Sequence, residues 1–507
     1  MPAFWQKYSI YLIPPFFGGG MCILLDFNGL YGQDAHEYYR YTQAFYQSLL
    51  HGEQPQDFFW GIGYPLLGAL FSFITKNVLF SLQAISLICY TVIGILIGKC
   101  ADLIFPNNAG SVTPFLPFSR KIALFLLYFS APYCLRMGVL VMSDMLAALG
   151  VMLCFYAMTV FYYKNKNSSL YFAVAGASLA ILTRYPPAVV VLPMLIGLIY
   201  LVFLRKKYLA SVLSMLIVAV GVGLHVWIKG ENLFAFTHHG SLYGWTLLNS
   251  FRRVLHTPDG IQYCTFPNIL YAFGQFWHPA YLSVGIVLVF FIRKKDFTSF
   301  PIKIAVLSIL LCAVFLMGIP FQNMRFLLLS FPLVSLLLFP ALENFTQMCA
   351  DFSRFRRCRW RFICEICHYL RNLREPQLPI FTLLIFLILG QMAMGFKLIH
   401  DLRTRNQWEK QVAADLQVYK GLTLYTFDID VALGSYPVPL KIVNTWTEKV
   451  EDFEIGGLYF CEEKTLESQW VERNPLLNWQ KVKAEYVLIC VKTYKNGWKL
   501  YKIQKKL

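Results

Sequence analysis

Two carboxylates and an imidazole stand close together in the stretch "GLYGQDAHEYYRYTQAFYQ", residues 29–47, directly after an apolar run. They belong to Asp34, His36 and Glu37. A carboxylate within hydrogen-bond reach of a hydroxyl or amine can take its proton, which is the role of a general base. Asp34 and Glu37, three residues apart, also fit a capping-box pattern at the start of a helix. Because the two roles are compatible, Asp34 and Glu37 are the candidate catalytic residues.

Other ionisable and amide side chains occur beside or inside apolar runs further along the chain. Such groups are costly at membrane depth and usually face a cavity or a partner. The candidates for substrate binding are His36, Asp144, Arg184, His238, His239, Gln322 and Arg325. Asp144 and Arg184 fit either an ion pair that locks two spans or a contact with substrate. Arg325 either snorkels to the membrane interface or binds an anionic phosphate group.

The adjacent histidines, His238 and His239, are a weak signal for a metal site. Neighbouring side chains point in different directions, and no third ligand follows at the usual spacing. Structural or hydrogen-bonding roles are therefore expected, and we assign no metal ligand. The acidic first loop leaves open whether a divalent cation binds there.

The composition of the chain indicates which elements must hold these residues. Of 507 residues, 57% are hydrophobic and only 14% are charged, whereas soluble domains carry about a quarter charged residues. We predict a polytopic α-helical membrane protein with about eleven spans. The predicted spans are 8–25, 78–98, 121–136, 139–163, 168–184, 186–204, 208–228, 278–292, 300–318, 320–341 and 379–396. Residues 61–75 are too short to span, so we expect a re-entrant or interfacial segment there.

The basic residues predict the orientation of these spans. With the N-terminus inside, they cluster in alternate loops, and the loop 344–378 adds a run of arginines. The shorter clusters are Lys99, Arg120 and Lys121; Lys164 and Lys166; Arg205, Lys206 and Lys207; and Arg293, Lys294 and Lys295. The positive-inside rule makes this side cytoplasmic, in a plasma (bacterial inner) membrane. The outer loops are then 26–77 and 229–277.

The formal charge of +17 is explained by this topology. Residues 397–507 carry 17 basic and 14 acidic residues, a net charge of only +3. The remaining excess belongs to the membrane part and its inner loops, where it contacts the cytosol or anionic lipid. Nucleic-acid binding is therefore not expected.

The chain divides into two predicted domains. Residues 1–396 form a multi-span catalytic domain, and 397–507 form a small extracytoplasmic α/β domain. In the second domain, "LTLYTF", "LKIVNTW", "GLYFCE", "AEYVLICVKTY" and "WKLYKIQ" predict strands, and "KTLESQW" predicts a short helix. It has no phosphate-cradling glycine loop, so we expect it to recognise substrate or to brace the fold. Cys461 and Cys490 would form a disulfide in an oxidising compartment.

This topology brings the unusual polar residues to one side of the membrane. The first-loop acids, Asp144, Arg184 and Arg325 all fall at its outer face. Acids from two regions and arginines from two others predict one polar cavity that opens outward.

Four motifs, taken in order, resemble the GT-C superfamily of integral-membrane glycosyltransferases. They are "DAHEYYRYTQAF" followed by "GYPLLGAL", "SDMLAALGVMLCFYAM" (143–158), "AGASLAILTRYPPAVVVLPMLI" (175–196) and "PFQNMRFLLLSFPLVSLL" (320–337). Protein O-mannosyltransferases and lipid A aminoarabinose transferases belong to this group. The resemblance covers most of the chain up to about residue 396, and it depends on the order and the membrane side of the motifs.

The resemblance implies a reaction and the residues for it. Such enzymes move a sugar from a polyprenyl-phosphate donor to a lipid, glycan or protein acceptor, with inversion at the anomeric carbon. Asp34 matches the first-loop general base, although Glu37 stays an alternative. Arg184 and Arg325 match basic positions that hold the donor phosphate, and "TRYPP" departs from the family pattern through Tyr185. Members with and without a divalent metal exist.

Two other functions share the apolar architecture. A flippase or polymerase of lipid-linked sugars would use the same substrate but does not require the first-loop acid. A secondary transporter would show repeated halves and a midplane site, and the sequence has no convincing internal repeat. Loss of glycan transfer in Asp34→Asn separates the enzyme from both.

Overall fold

The computed structural model describes residues 2–52, 55, 58–106, 122–230, 244–257, 260–282, 285–350 and 378–507. Most of the predicted basic loop, at 351–377, lies outside the described residues. The helices are α1 Pro2–Leu24, α2 Gly32–His51, α3 Gly63–Thr75, α4 Val78–Ile104, α5 Ile122–Phe129, α6 Pro132–Val139, α7 Asp144–Lys164, α8 Asn167–Thr183, α9 Pro187–Leu204, α10 Tyr208–Lys229, α11 Asn268–Ala272, α12 Gly285–Val289, α13 Phe300–Gly318, α14 Phe331–Ala350, α15 Leu378–Leu416, α16 Asp430–Gly434, α17 Glu463–Gln469 and α18 Asn474–Glu485. The strands are β1 Val254–Thr257, β2 Gly260–Tyr263, β3 Thr423–Thr426, β4 Lys441–Asn444, β5 Leu458–Cys461, β6 Tyr486–Thr493 and β7 Lys499–Lys506.

The helices confirm a polytopic membrane protein. Six helices of the described chain are long and apolar enough to cross a membrane. They are α4, α7, α9, α10, α13 and the stretch Ile385–Tyr419, most of which belongs to α15. The pair α5 and α6 makes a seventh span if it is counted as one, bent by 67°. Pro132 explains the bend, because it opens α6 and holds Ala131 in an extended conformation. Shorter apolar helices occupy the predicted spans at 8–25, 168–184 and 320–341 and the predicted re-entrant segment at 61–75.

The predicted span 278–292 is not a continuous helix, which corrects the prediction. Its ends nevertheless lie far apart along α14. The ring of Tyr281 packs on Phe331 with centroids 4.9 Å apart, and Phe291 packs on Phe345 at 5.1 Å. Those two partners are about 21 Å apart along α14 at 1.5 Å per residue, a distance that ten residues of helix could not cover. The described residues of this segment, 278–282 and 285–292, form turns and the short α12 beside α14.

The tightest helix contact joins α7 and α8 through two glycines. A Cβ on Gly150 would lie 2.6 Å from the backbone nitrogen of Ala180, and one on Gly176 would lie 2.6 Å from that of Cys154. Small residues let helix backbones approach in this way, as is common between membrane helices. Because the two helices are antiparallel neighbours, the start of α7 and the end of α8 meet at one face of the bundle. Asp144 and Arg184 are found there.

The first-loop helix begins earlier than the capping-box pattern predicts. α2 starts at Gly32, its N-cap residue is Tyr31, and no side chain caps it. Asp34 thus lies in the first turn, where a carboxylate is favoured by the helix dipole, and the predicted capping box is not formed. The buried side of α2, which includes Ala35, Tyr38 and Thr42, follows the helical period of three to four residues and packs on the bundle.

The C-terminal domain, residues 417–507, is a five-stranded sheet with the order β4-β3-β5-β7-β6. β3 pairs in parallel with β4 and β5, while β7 is antiparallel to both β5 and β6. All five predicted strands and the predicted helix α17 are present. The sequence analysis missed α18. Cys461 is buried, Cys490 is exposed, and both are free, so the conditional disulfide does not form.

One continuous helix joins the membrane part to this domain. α15 has 39 residues and is therefore about 58 Å long, almost twice the bilayer core. Ile399 and Leu402 pack in the core of the membrane part, whereas Val412 and Leu416 pack in the core of the sheet domain. The helix therefore passes through residues 396 and 397 without a break. It holds the sheet at a fixed distance from the membrane part.

Polar contacts tie α15 and the C-terminal domain to the end of the bundle where Asp34, Asp144, Arg184 and Arg325 lie, which we call the domain face. His36 Nε2 lies 3.2 Å from Glu409 Oε2, and both side chains are fully buried. Gln33 Nε2 donates to Asp430 Oδ1 at 3.4 Å. The domain therefore docks directly over the first-loop helix.

We expect Gly176→Ala to destabilise the contact between α7 and α8 by about 1–3 kcal/mol, because the added methyl group meets backbone that cannot move aside. Thermal unfolding of the detergent-solubilised protein measures this. Gly223→Ala on α10 is the matched control, since its Cβ would meet nothing within 4 Å and alanine is the better helix former. Equal melting temperatures of the two variants would contradict the close contact.

Candidate functional site

A cavity of about 440 Å³ lies between the domain face and the C-terminal domain. This volume is within the range of small-molecule sites, which is roughly 300–1,000 Å³. The membrane part lines it with Asp34, Arg325 and Arg136 together with Tyr31 and Tyr133. The C-terminal domain contributes aromatic rings and two carboxylates to the lining of the same cavity. Charged groups and apolar surface thus face one another across a single space.

Asp34 and Arg325 form an ion pair at the edge of this cavity. Asp34 comes from the first turn of α2, and Arg325 from the 3-10 turn Met324–Leu329 that precedes α14. The Asn323 side chain caps that turn by accepting from Arg325 N at 3.2 Å. The Asp34 side chain is 29% exposed and that of Arg325 is 15% exposed, so a ligand in the cavity can reach both.

The surroundings of Asp34 keep its carboxyl ionised at neutral pH. Burial alone would raise its pKa, but the hydrogen-bonded guanidinium of Arg325 and the more distant one of Arg184 outweigh burial and lower the pKa. The residue is therefore an anion when the cavity holds no ligand.

A second ion pair lies beside the first but is sealed from the cavity. Arg184 donates to Asp144, and their side chains are 4% and 1% exposed. The ring of Phe326 separates the two guanidinium groups, with the Arg184 carbon at 5.2 Å from its centroid and that of Arg325 at 5.7 Å. The predicted convergence of acids and arginines is therefore present as two adjacent pairs.

The remaining predicted residues lie away from the cavity or outside the described chain. His36 is buried against Glu409. Glu37 accepts from Arg40 Nη2 at 2.7 Å in a half-exposed pair. Gln322 donates to Phe266 O at 2.6 Å and so holds the preceding loop. His238 and His239 belong to 231–243, which lies outside the described residues. Among the candidates that the structure describes, the cavity is lined by Asp34 and Arg325.

Arg136 on α6 lines the cavity and was missed in the sequence analysis. Its guanidinium lies over two rings, 5.5 Å from the centroid of Tyr31 and 5.4 Å from that of Tyr133. Its Nε is buried and has no hydrogen-bond partner in the described part of the chain. A single arginine inside the apolar run "YCLRMGVLVM" is the signal that could have identified it, because a cation there needs a cavity or a partner.

The residues of the cavity define what it can hold. Arg136 and Arg325 offer guanidinium donors to an anion such as a phosphate group. Within the described residues, no group of three or more histidine, cysteine or acidic side chains is arranged to hold a metal ion. The arrangement suits proton acceptance by Asp34 next to an anion that the arginines neutralise.

Two solved structures of one protein share this fold over nearly the whole chain. The ArnT from Cupriavidus metallidurans bound to undecaprenyl phosphate matches with a TM-score of 0.57 and 12% identity, covering 97% of this chain and 96% of that one. Its apo form matches with a TM-score of 0.57, 13% identity and the same coverage. The apo oligosaccharyltransferase of Archaeoglobus fulgidus gives 0.48 and 11%, covering 86% of this chain and 64% of that one. No family model and no curated protein sequence matches the chain.

We expect Glu409→Ala to destabilise the packing of α15 on α2, and with it the docking of the C-terminal domain that α15 carries, because it leaves His36 without its buried partner and Arg405 without the acceptor at 2.7 Å. Breaking a buried pair from one side costs about 3–5 kcal/mol. Thermal unfolding in detergent measures the loss. The exposed Glu467 of the same domain provides the control Glu467→Ala, for which a change within about 0.5 kcal/mol is expected. Similar losses in both variants would show that the buried contact is not specifically important.

Proposed function

We propose that this chain, which has the fold of the GT-C glycosyltransferases, is a membrane enzyme that transfers a sugar from a polyprenyl-phosphate donor. The observation that carries the proposal is the grouping of Asp34, Arg325 and Arg136 around one cavity at the edge of the membrane helices. The ArnT structure in complex with undecaprenyl phosphate supports a lipid phosphate as the donor class. The acceptor is a lipid, a glycan or a protein.

The reaction needs a base and a charge that neutralises the leaving group. A hydroxyl or amine of the acceptor attacks the anomeric carbon while Asp34 takes its proton. The bond between that carbon and the phosphate oxygen breaks, so the carbon inverts and the lipid phosphate departs with the electron pair. Arg325 and Arg136 stabilise the phosphate anion, which makes a separate acid unnecessary.

The ion pair of Asp34 and Arg325 sets the order of steps in this mechanism, with donor binding before proton acceptance. A carboxylate that is fully engaged with a guanidinium is a weak base, because the cation lowers its pKa. When the donor phosphate takes over hydrogen bonds of Arg325, the cation is shared and the pKa of Asp34 rises. Asp34 therefore becomes a stronger base once the donor is bound, which limits idle proton transfer in the empty enzyme.

The other predicted residues act indirectly in this proposal. The sealed pair of Asp144 and Arg184 supports Phe326 and thereby the neighbouring Arg325. Glu37 is engaged with Arg40 outside the cavity, so Asp34 is the base. We further propose the orientation given by the basic loops, with the N-terminus in the cytoplasm and the C-terminal domain outside the plasma membrane of a bacterium.

We expect Asp34→Asn to lower the turnover number by a factor of about 10²–10⁴, the usual contribution of a general base. Transfer of radiolabelled sugar from a polyprenyl-phosphate donor to membrane glycans or lipids measures it, with unchanged thermal unfolding as the check on folding. Glu37→Gln is the matched control and is expected to retain activity. Wild-type turnover in Asp34→Asn would exclude Asp34 as the base, whereas absence of transfer by the purified wild type would favour a flippase or transporter.

We expect Arg325→Gln to move the acidic limb of the pH profile of kcat/KM to higher pH. Without that guanidinium, burial raises the pKa of Asp34 and the main cause that lowers it is gone, so protonation inactivates the base at a higher pH. The residual activity of the variant is measured across the acidic range. Arg136→Gln should also lower activity but leave the limb in place, because Arg136 is not among the groups that lower this pKa. An unshifted limb in Arg325→Gln would contradict the coupling.

A further inference from the structure

We propose that the wall of the cavity formed by the C-terminal domain binds the sugar ring of the lipid-linked donor. This inference rests on the proposed function and extends it to a second binding surface. The wall consists of Phe427, Trp446, Trp470 and Trp498, with the carboxylates of Asp428 and Glu462 beside them. We call these six residues the aromatic wall.

The direction in which a lipid donor enters the cavity supports this assignment. Its hydrocarbon chain belongs in the bilayer, and its phosphate meets Arg325 and Arg136 at the domain face. The sugar is attached to the far side of the phosphate, so it extends away from the membrane. The aromatic wall is the part of the same cavity lining that comes from the C-terminal domain, so it is the surface that we expect the sugar to meet.

The chemistry of the aromatic wall suits a sugar ring. One face of a pyranose or furanose presents C–H groups that pack on aromatic rings, while its hydroxyl groups donate to carboxylates. Asp428 and Glu462 supply such acceptors next to the rings. This combination of apolar lining and a few directed polar groups is typical of small-molecule sites.

The aromatic wall is rigid before any ligand binds. Phe427 packs against Trp470 with centroids 5.3 Å apart and against Trp498 at 6.3 Å. These three side chains are each at most 8% exposed, so the domain core fixes them. Trp446 is half-buried and its ring lies 6.4 Å from that of Trp470. Rigid aromatic side chains bind with little loss of conformational entropy, and Trp446 has the largest free surface of the three tryptophans.

The two carboxylates of the aromatic wall are also held in position. Asp428 has a φ of 65°, a left-handed conformation that is uncommon outside glycine. Its Oδ2 accepts from Arg405 Nη2 at 3.1 Å. Glu462 caps α17 by accepting from Lys464 N and from Thr465 N. Both carboxylates are therefore fixed in place among the residues that line the cavity.

Competition binding to the full-length, detergent-solubilised protein tests the inference. Radiolabelled undecaprenyl phosphate is displaced by the same lipid without a sugar and by a panel that carries single hexoses or pentoses. In the wild type, at least one loaded lipid should bind more tightly than the bare lipid. Trp446→Leu should reduce that preference roughly tenfold, which corresponds to about 1.4 kcal/mol, and leave the affinity for the bare lipid unchanged. Trp446→Phe keeps an aromatic face and should retain most of the preference.

Trp408→Leu is the matched control for this experiment. Trp408 is a half-buried tryptophan that packs on Trp498 at 5.4 Å but is not one of the residues that line the cavity, so its loss should leave the sugar preference intact. An undiminished preference in Trp446→Leu, an equal loss in Trp408→Leu, or a wild type that prefers no sugar-loaded lipid would overturn the inference while leaving the proposed function in place. A wild type that binds no polyprenyl phosphate at all would overturn the proposed function and the inference together.

Discussion

The two ion pairs at the domain face, Asp34 with Arg325 and Asp144 with Arg184, constrain how the bundle is arranged. A carboxylate or guanidinium that is left alone away from water costs several kcal/mol, so α2, α7, α8 and the turn before α14 must end at the same level. The glycine contact between α7 and α8 achieves this for Asp144 and Arg184, since it lets the two backbones touch. Asp34 and Arg325 are 291 residues apart in sequence, and they form the second ion pair beside the first.

The two pairs use the same chemistry for different purposes because their exposure differs. The pair of Asp144 and Arg184 is sealed, so no ligand can replace either partner. The pair of Asp34 and Arg325 borders the cavity, so an incoming anion can compete for the guanidinium. A buried pair that is broken from one side destabilises the fold, whereas an accessible pair can exchange partners at little cost. One pair thus braces the fold, and the other is open to a ligand in the cavity.

The sequence was sufficient for features that depend on local patterns. Hydropathy located the helices, alternation located all five C-terminal strands, and the basic loops brought Asp34 and Arg325 to one side. It failed where a partner is chosen in three dimensions. His36 was expected to bind substrate but is buried against Glu409, 373 residues away. Arg136 was overlooked because the cavity that it lines is formed only in the folded chain. The irregular path of 278–292 depends on contacts with α14 that no apolar run reveals.

The continuous helix α15 explains why the candidate site lies between two parts of the molecule. A sugar-phosphate on a lipid is charged close to the membrane and both apolar and hydroxylated further out, so a matching cavity needs two surfaces at a set separation. α15 provides a rigid connection, since its residues belong first to the core of the membrane part and then to the core of the C-terminal domain. The contact between His36 and Glu409 holds α15 against α2, and the contact between Gln33 and Asp430 ties the C-terminal domain to the same helix. The charged residues Asp34, Arg136 and Arg325 and the aromatic wall are thereby held at a set distance, which neither the membrane part nor the C-terminal domain could define alone.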